Sequence, residues 1–214
     1  MSLNLNEIKA ATKFLHRKIV DTPFLDLASS KVKILFPEKT KVKMKLEFLQ
    51  HVGSFKARGV LLGLAKLSAD QKMAGVIAVS AGNHALAVSW AAQVARINAK
   101  VIMPKTADKF RVHGCRAYGA DVLLAEDTEE AFSLMDQLSK KEKRYVMHPF
   151  ESEHMILGAA TCGHEMIKAM PEMDIAIIPI GGGGLISGLS AAIKLVKPSV
   201  KVYGVEPYGA DSMF

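Results

Sequence analysis

Seven short apolar runs recur between residues 41 and 205, and stretches long enough for a helix separate them. The runs fall at 41–48, 76–79, 100–103, 121–124, 145–147, 175–180 and 202–205. Helical spacing of apolar residues fills 54–67, 84–95, 107–118, 128–138, 154–170 and 185–196. Strand, helix, strand repeated this often implies parallel sheets covered by helices, an α/β fold. Run 175–180 carries no charge, the pattern of a strand buried on both faces. Asp127 followed by Glu130 reads as a helix-capping pair, and Pro198 ends the last helix. The final run is followed by Glu206-Pro207 and seven more residues. No helix covers it, so the pattern expects further chain or a partner there.

Bulk properties exclude several classes. Half of the 214 residues are hydrophobic and 23% are charged, a balance that can bury a core. No segment reaches the 18 apolar residues of a membrane span, and residues 1–18 mix charges without the apolar stretch of a secretory signal. Cys115 and Cys162 stand far apart and in no CxxC pair, so a reducing cytosol is expected. Each has a histidine two positions away, His113 and His164, but two-residue pairs are poor zinc ligand sets; no metal is expected. The formal charge is +7. Lysines between 31 and 45 alternate with Val32, Ile34, Val42, Met44 and Leu46, and a single aromatic, Phe36, makes no stacking platform, so a solvated strand face is favoured over a nucleic-acid patch.

Three segments carry possible chemistry. In Gly53-Ser54-Phe55-Lys56-Ala57-Arg58-Gly59, Gly53 permits a tight turn and Ser54 can cap a new helix. Lys56 then sits in the first helical turn, where the dipole disfavours its charge and makes it a better amine nucleophile. On this segment alone, a surface lysine on an amphipathic helix is the favoured reading. In Ser80-Ala81-Gly82-Asn83-His84, small residues after a strand open a helix and offer N–H groups to an anion such as a carboxylate. An ordinary loop with a packed His84 is the plain alternative. Gly181-Gly182-Gly183-Gly184-Leu185 follows run 175–180 and opens a helix. Four glycines cost backbone entropy, and a phosphate cradled by N–H groups is the candidate reason. Neither a GxGxxG frame nor a P-loop fits.

An activated lysine, a carboxylate loop and a phosphate cradle are the inventory of a pyridoxal 5'-phosphate site. Their order resembles the tryptophan-synthase-β-like (fold type II) pyridoxal-phosphate enzymes, most closely the serine/threonine dehydratase and serine racemase branch. Thr22-Pro23, Ser54 to Gly59, Ser80 to His84, Met103-Pro104, Arg116 to Ala120, His148-Pro149-Phe150 and the tetraglycine all carry that resemblance. It implies two parallel-sheet α/β domains, a smaller one at 54–143 and a larger one at 1–53 plus 144–214, with the cofactor in the cleft between them. It implies that Lys56 links to the cofactor and shuttles the substrate α-proton. Phe55 would pack beside the ring, Asn83 would bond the ring hydroxyl, and Gly181, Gly182, Gly183, Gly184 and Leu185 would hold the phosphate. Ser80, Ala81, Gly82, Asn83 and His84 would hold the substrate carboxylate. The β-hydroxyl of L-threonine or L-serine would leave, and hydrolysis would give a 2-oxo acid and ammonia. The resemblance also implies a homo-oligomer.

Departures refine this. Racemases of the branch carry a serine at position 81 as a second proton donor; Ala81 cannot serve, which favours dehydration, and Phe150 is dehydratase-like. His51-Val52, Leu86-Ala87 and Ala159-Ala160 replace the usual Pro-Thr, Gln-Gly and Gln-Gly. Glu206 and Ala210 match a divalent-metal site of the racemase branch, but Ser212 stands where a carboxylate is expected. The chain stops before the family residue that faces the pyridine nitrogen. A β-replacement enzyme of the cysteine synthase type is the alternative, though those usually have Thr-Gly where this chain has His84-Ala85; a non-catalytic ligand-binding protein is a third.

Overall fold

A computed structural model describes residues 3–211 and residue 213; Ser212, expected at the altered metal position, lies outside the described residues. The chain runs α1 (Leu5–Leu15), β1 (Phe24–Asp26), α2 (Ser30–Lys33) and β2 (Lys43–Lys45). Two 3-10 turns, Glu47–Leu49 and His51–Gly53, lead into α3 (Lys56–Lys66) and α4 (Ala69–Ala74). Then follow β3 (Val76–Val79), α5 (Asn83–Ala95), β4 (Ala99–Pro104), α6 (Lys109–Ala117), β5 (Asp121–Ala125) and α7 (Thr128–Lys141). The last elements are β6 (Tyr145–Val146), α8 (Glu153–Ala169), β7 (Ile175–Pro179), α9 (Gly184–Val196) and β8 (Lys201–Val205).

Three separate sheets form among the described residues. The largest is parallel, in the order β5-β4-β3-β6; β7 and β8 make a parallel pair, and β1 and β2 an antiparallel one. The large sheet therefore extends past residue 144 to take in β6. Period-2 alternation explains its burial. Val76, Ala78, Val101 and Met103 join the core built with α3 and α5, whereas Ile77, Val79 and Ile102 join the core under α7. Each fully buried isoleucine contributes about 1.5–3 kcal/mol through loss of apolar surface from water. A third core lies between α8, α9 and the β7–β8 pair, around Ile167, Ile178, Leu189 and Ile193.

Helix α8 is the spine of the molecule, and its small residues make that possible. A Cβ at Gly158 would fall 2.4 Å from the Gly59 backbone of α3. Thus α3 rests directly on α8, which fixes where the start of α3 points.

Three expectations need correction. Residues 31–45 are not a continuous one-sided strand: Ser30–Lys33 is a helical turn, and only Lys43–Lys45 pairs, because Glu47–Leu49 turns to bring Glu47 onto Arg58. β7 is buried on one face only; Ile175 and Ile177 remain 53% and 64% exposed, because α8 and α9 pack on the face that carries Ala176 and Ile178. Ser54 does not cap α3. The N-cap position is Phe55, with no side-chain cap, and Ser54 Oγ is buried without a partner among the described residues. The capping pair at α7 is present, Glu130 N–H donating to Asp127 Oδ1 at 2.9 Å.

Candidate active site

The backbone before Lys56 is bent into left-handed geometry at two successive residues, Val52 (φ 56°) and Gly53 (φ 69°). Glycine takes this conformation freely; a β-branched valine is strained there. The turn throws Lys56 onto the first position of α3. Its Nζ donates to the Pro149 carbonyl at 2.5 Å and lies 5.0 Å from the Phe55 ring centroid. The amine is pulled down from the ordinary lysine value to about 8 by burial. Desolvation of the ammonium, rather than the helix dipole argued from sequence, is the cause.

Two residues on, Arg58 anchors this helix. It is wholly buried and spreads its donors over Glu47, Thr161 and Glu165 at 2.6–3.1 Å. Burial opposes its charge, but the two carboxylates outweigh that and hold it above the ordinary arginine value. Lys56 thus projects from a helix whose first turn cannot rotate without breaking a buried ionic network.

The Ser80–His84 loop leaves the carboxyl end of β3, where α/β sheets bind ligands. Gly82 N–H donates to Ser80 Oγ at 3.1 Å, and no side chain caps α5. Its first N–H groups therefore remain available to an anion. Ala81 and Asn83 are exposed. His84 behaves differently: its ring is buried, with Nε2–H donating to the Met147 carbonyl at 2.8 Å. Burial depresses it to about 4, against the raising effect of that bond. Its side chain therefore ties the loop to the strand end and stays neutral.

The tetraglycine follows β7. Gly183 lies at φ 78°, the left-handed region that favours glycine, and α9 begins without a side-chain cap. A Cβ at Gly182 would fall 2.4 Å from the Phe150 ring. The loop can thus approach Phe150 only as glycine. Leu185 and Phe55 pack on the same core cluster.

A single stretch, Met147 to Phe150, connects all three segments. Met147 takes His84, Pro149 takes Lys56, and Phe150 lies on Gly182 and Gly184. The Phe150 ring meets His148 edge-on at 4.9 Å, and His148 Nδ1 accepts from Glu151 N–H at 3.0 Å. Sequence reasoning placed His148-Pro149-Phe150 in the family pattern but did not see it as the hub. A proline-broken run at the carboxyl end of a strand was the available signal. A half-buried amine, two uncapped helix starts and a cradle that excludes side chains together can hold an aldehyde-bearing phosphate ester and a carboxylate.

Residues 17–214 match the family described as pyridoxal-phosphate dependent enzyme, and the chain belongs to it. It is 50% identical over 174 residues to a phenylserine dehydratase of Ralstonia pickettii, a match covering 81% of this chain and 53% of that protein. It is 37% identical over 212 residues to an L-threonine ammonia-lyase of Thermotoga maritima, covering 99% and 52%. Among solved structures it is similar to maize serine racemase, with a TM-score of 0.92, 30% identity, and 99% and 63% of the two chains covered. The fold is that of the fold type II enzymes. The chain spans about half the length of the curated relatives it matches.

Proposed function

We propose that the protein uses pyridoxal phosphate to dehydrate and deaminate 3-hydroxy amino acids, L-threonine and L-serine, to 2-oxo acids and ammonia. The observation that carries this reading is Lys56: a half-buried amine lowered to about 8, held by the Pro149 carbonyl on the stretch that also meets the tetraglycine. Lys56 would hold the cofactor covalently, with Phe55 beside it. Asn83 would bond its ring oxygen, and the N–H groups of Gly181 to Leu185 would bind its phosphate. The bound cofactor withdraws electrons from the substrate α-carbon.

The rest is done by the chain. The loop from Ser80 to His84 would receive the substrate carboxylate on the uncapped start of α5. Lys56 Nζ would take the α-proton; the Pro149 carbonyl, an acceptor, would then hold the ammonium so formed. The C–O bond would then break, the hydroxyl departing as water with the proton that Lys56 holds; Ala81 has no proton to give on the opposite face, which disfavours racemisation. The similarity to a phenylserine dehydratase supports a pocket that admits a bulky β-substituent as well as threonine.

We propose the division of the chain at 54–143 against 1–53 plus 144–214, with β6 lent to the smaller unit's sheet. A cytosolic, homo-oligomeric enzyme is the setting we propose; the two free, buried cysteines are in keeping with it. The test is performed on the full-length protein. After addition of pyridoxal phosphate, a visible absorption band should appear, and borohydride should fix the label on Lys56. L-Threonine, L-serine and L-phenylserine should then give 2-oxo acids with little D-isomer. A label on another lysine, racemisation as fast as ketoacid formation, or turnover seen only with added sulfide would overturn the proposal.

A further inference from the structure

Asn83 has a neighbour that the roles above leave unused. Arg111, on α6, donates from Nη1 to Asn83 Oδ1 at 2.8 Å. The same nitrogen lies where a Cβ on Gly82 would come within 2.8 Å, so the guanidinium rests on the backbone of the Ser80–His84 loop. Helix α6 is fixed for this. Asp108 caps it, accepting from Phe110 N–H at 2.7 Å, and a Cβ at Gly114 would fall 2.8 Å from Leu86 of α5.

The chemistry of the pair is one-sided. A carboxamide has an acceptor end and a donor end, whereas a guanidinium has donors only. Arg111 can therefore bind only the oxygen of Asn83. The amide is locked in one orientation, and its NH2 is left as the group that Asn83 can present to a ligand. An NH2 donor beside a permanent positive charge suits an anionic oxygen. We propose that Arg111 is a positioning residue: it orients the Asn83 amide so that NH2, not oxygen, meets the ring oxygen of the cofactor. This rests on the reading that Asn83 takes that oxygen. Loss of Arg111 frees the amide to turn over, which replaces an attraction with a lone-pair repulsion in part of the population.

The experiment compares Arg111→Met, Arg111→Lys, Asn83→Ala and the Arg111→Met/Asn83→Ala double variant of the full-length protein. Cofactor affinity and the visible absorption spectrum are read without substrate. Arg111→Met should weaken pyridoxal phosphate binding about tenfold, the scale of one charge-assisted hydrogen bond, and should shift the band in the same sense as Asn83→Ala. Arg111→Lys should restore most of both. In the double variant, removing Arg111 should add less than about twofold, because the two act as one unit. If Asn83→Ala alters affinity and spectrum but Arg111→Met leaves both at wild type, the inference is overturned, even should KM for the amino acid rise. If Asn83→Ala alters neither, the reading of Asn83 fails first and Arg111 loses its assigned purpose. Circular-dichroism melts separate these outcomes from misfolding, and Arg111→Lys keeps the test open should Arg111→Met not fold.

Discussion

At the scale of single residues, burial pushes one lysine and two histidines the same way, towards the neutral base. Lys56 at about 8 is roughly half unprotonated at pH 8, whereas an ordinary lysine there is less than about 1% so. Reductive trapping of pyridoxal phosphate on Lys56 should therefore inflect near pH 8, with exposed lysines rising only near pH 10; peptide mapping after borohydride across pH 6–10 measures both. An inflection of Lys56 near pH 10 would remove burial as the activating cause. His84 and His154 are both depressed to about 4, chiefly by burial. Their unfolded forms titrate near 6.5, so between pH 6.5 and 4 the unfolded chain binds more protons and the fold loses stability as pH falls. Each site contributes a loss on the order of 3 kcal/mol across that window. Histidine NMR should show these two rings neutral down to about pH 5, and denaturant unfolding should show the matching acid limb. Rings that titrate near 6.5 in the folded protein would contradict it.

At the scale of elements, close approach is decided by what is missing. With Gly59 and Gly158 face to face, Gly158→Ala has no room to relax, because the clash is with backbone. It should destabilise by about 1–3 kcal/mol or more, while Lys168→Ala on the exposed side of α8 should stay within about 0.5 kcal/mol; equal effects in urea melts would refute the packing account. Elements with strong periodicity were readable from sequence. β3 and the helices from α5 onward fall where apolar spacing places them, within a residue or three at their ends. α1 was readable but unread: Asn4 and Glu7 form a capping box, and Ile8, Ala11 and Leu15 line its buried side. So was α4, with Ser68 and Gln71 in the same reciprocal arrangement. The one-sided burial of β7 was not readable, because an uncharged run looks the same whether one face or two are covered. The meeting of Lys56 with Pro149 was also hidden, since 93 residues separate them and no local pattern encodes such a contact. Lys56, the Ser80–His84 loop and the tetraglycine could be picked out by type; Arg111 could not, because an exposed-looking arginine on an amphipathic helix gives no sign of its partner.

At the scale of the whole molecule, the Arg58 network joins parts that the chain order keeps apart. Glu47 comes from the turn after β2, Arg58 from α3, and Thr161 and Glu165 from α8. Lys45 adds a bond to Glu165 at 2.8 Å, and Thr22 Oγ1 donates to Glu47 at 2.5 Å. All five N–H donors of Arg58 are used, and two cations face two carboxylates, so the cluster is neutral. Arg58→Met keeps the volume but leaves a net negative charge inside, and should cost about 3–5 kcal/mol. Adding Glu47→Gln removes the surplus charge and leaves Lys45 with Glu165 as a balanced pair. The double variant should therefore be more stable than Arg58→Met alone, although Glu47→Gln in the wild-type background should be destabilising. That reversal of sign is the signature of charge compensation, because two independent packing defects would add. Guanidinium melts of the four proteins give the cycle, and a double variant whose loss equals the sum of the singles would dismiss it. Lys56 stands two residues before Arg58 on the same first turn. Borohydride-fixed cofactor on Lys56 should accordingly fall in Arg58→Met at temperatures where the protein is still folded, and return in part with Glu47→Gln.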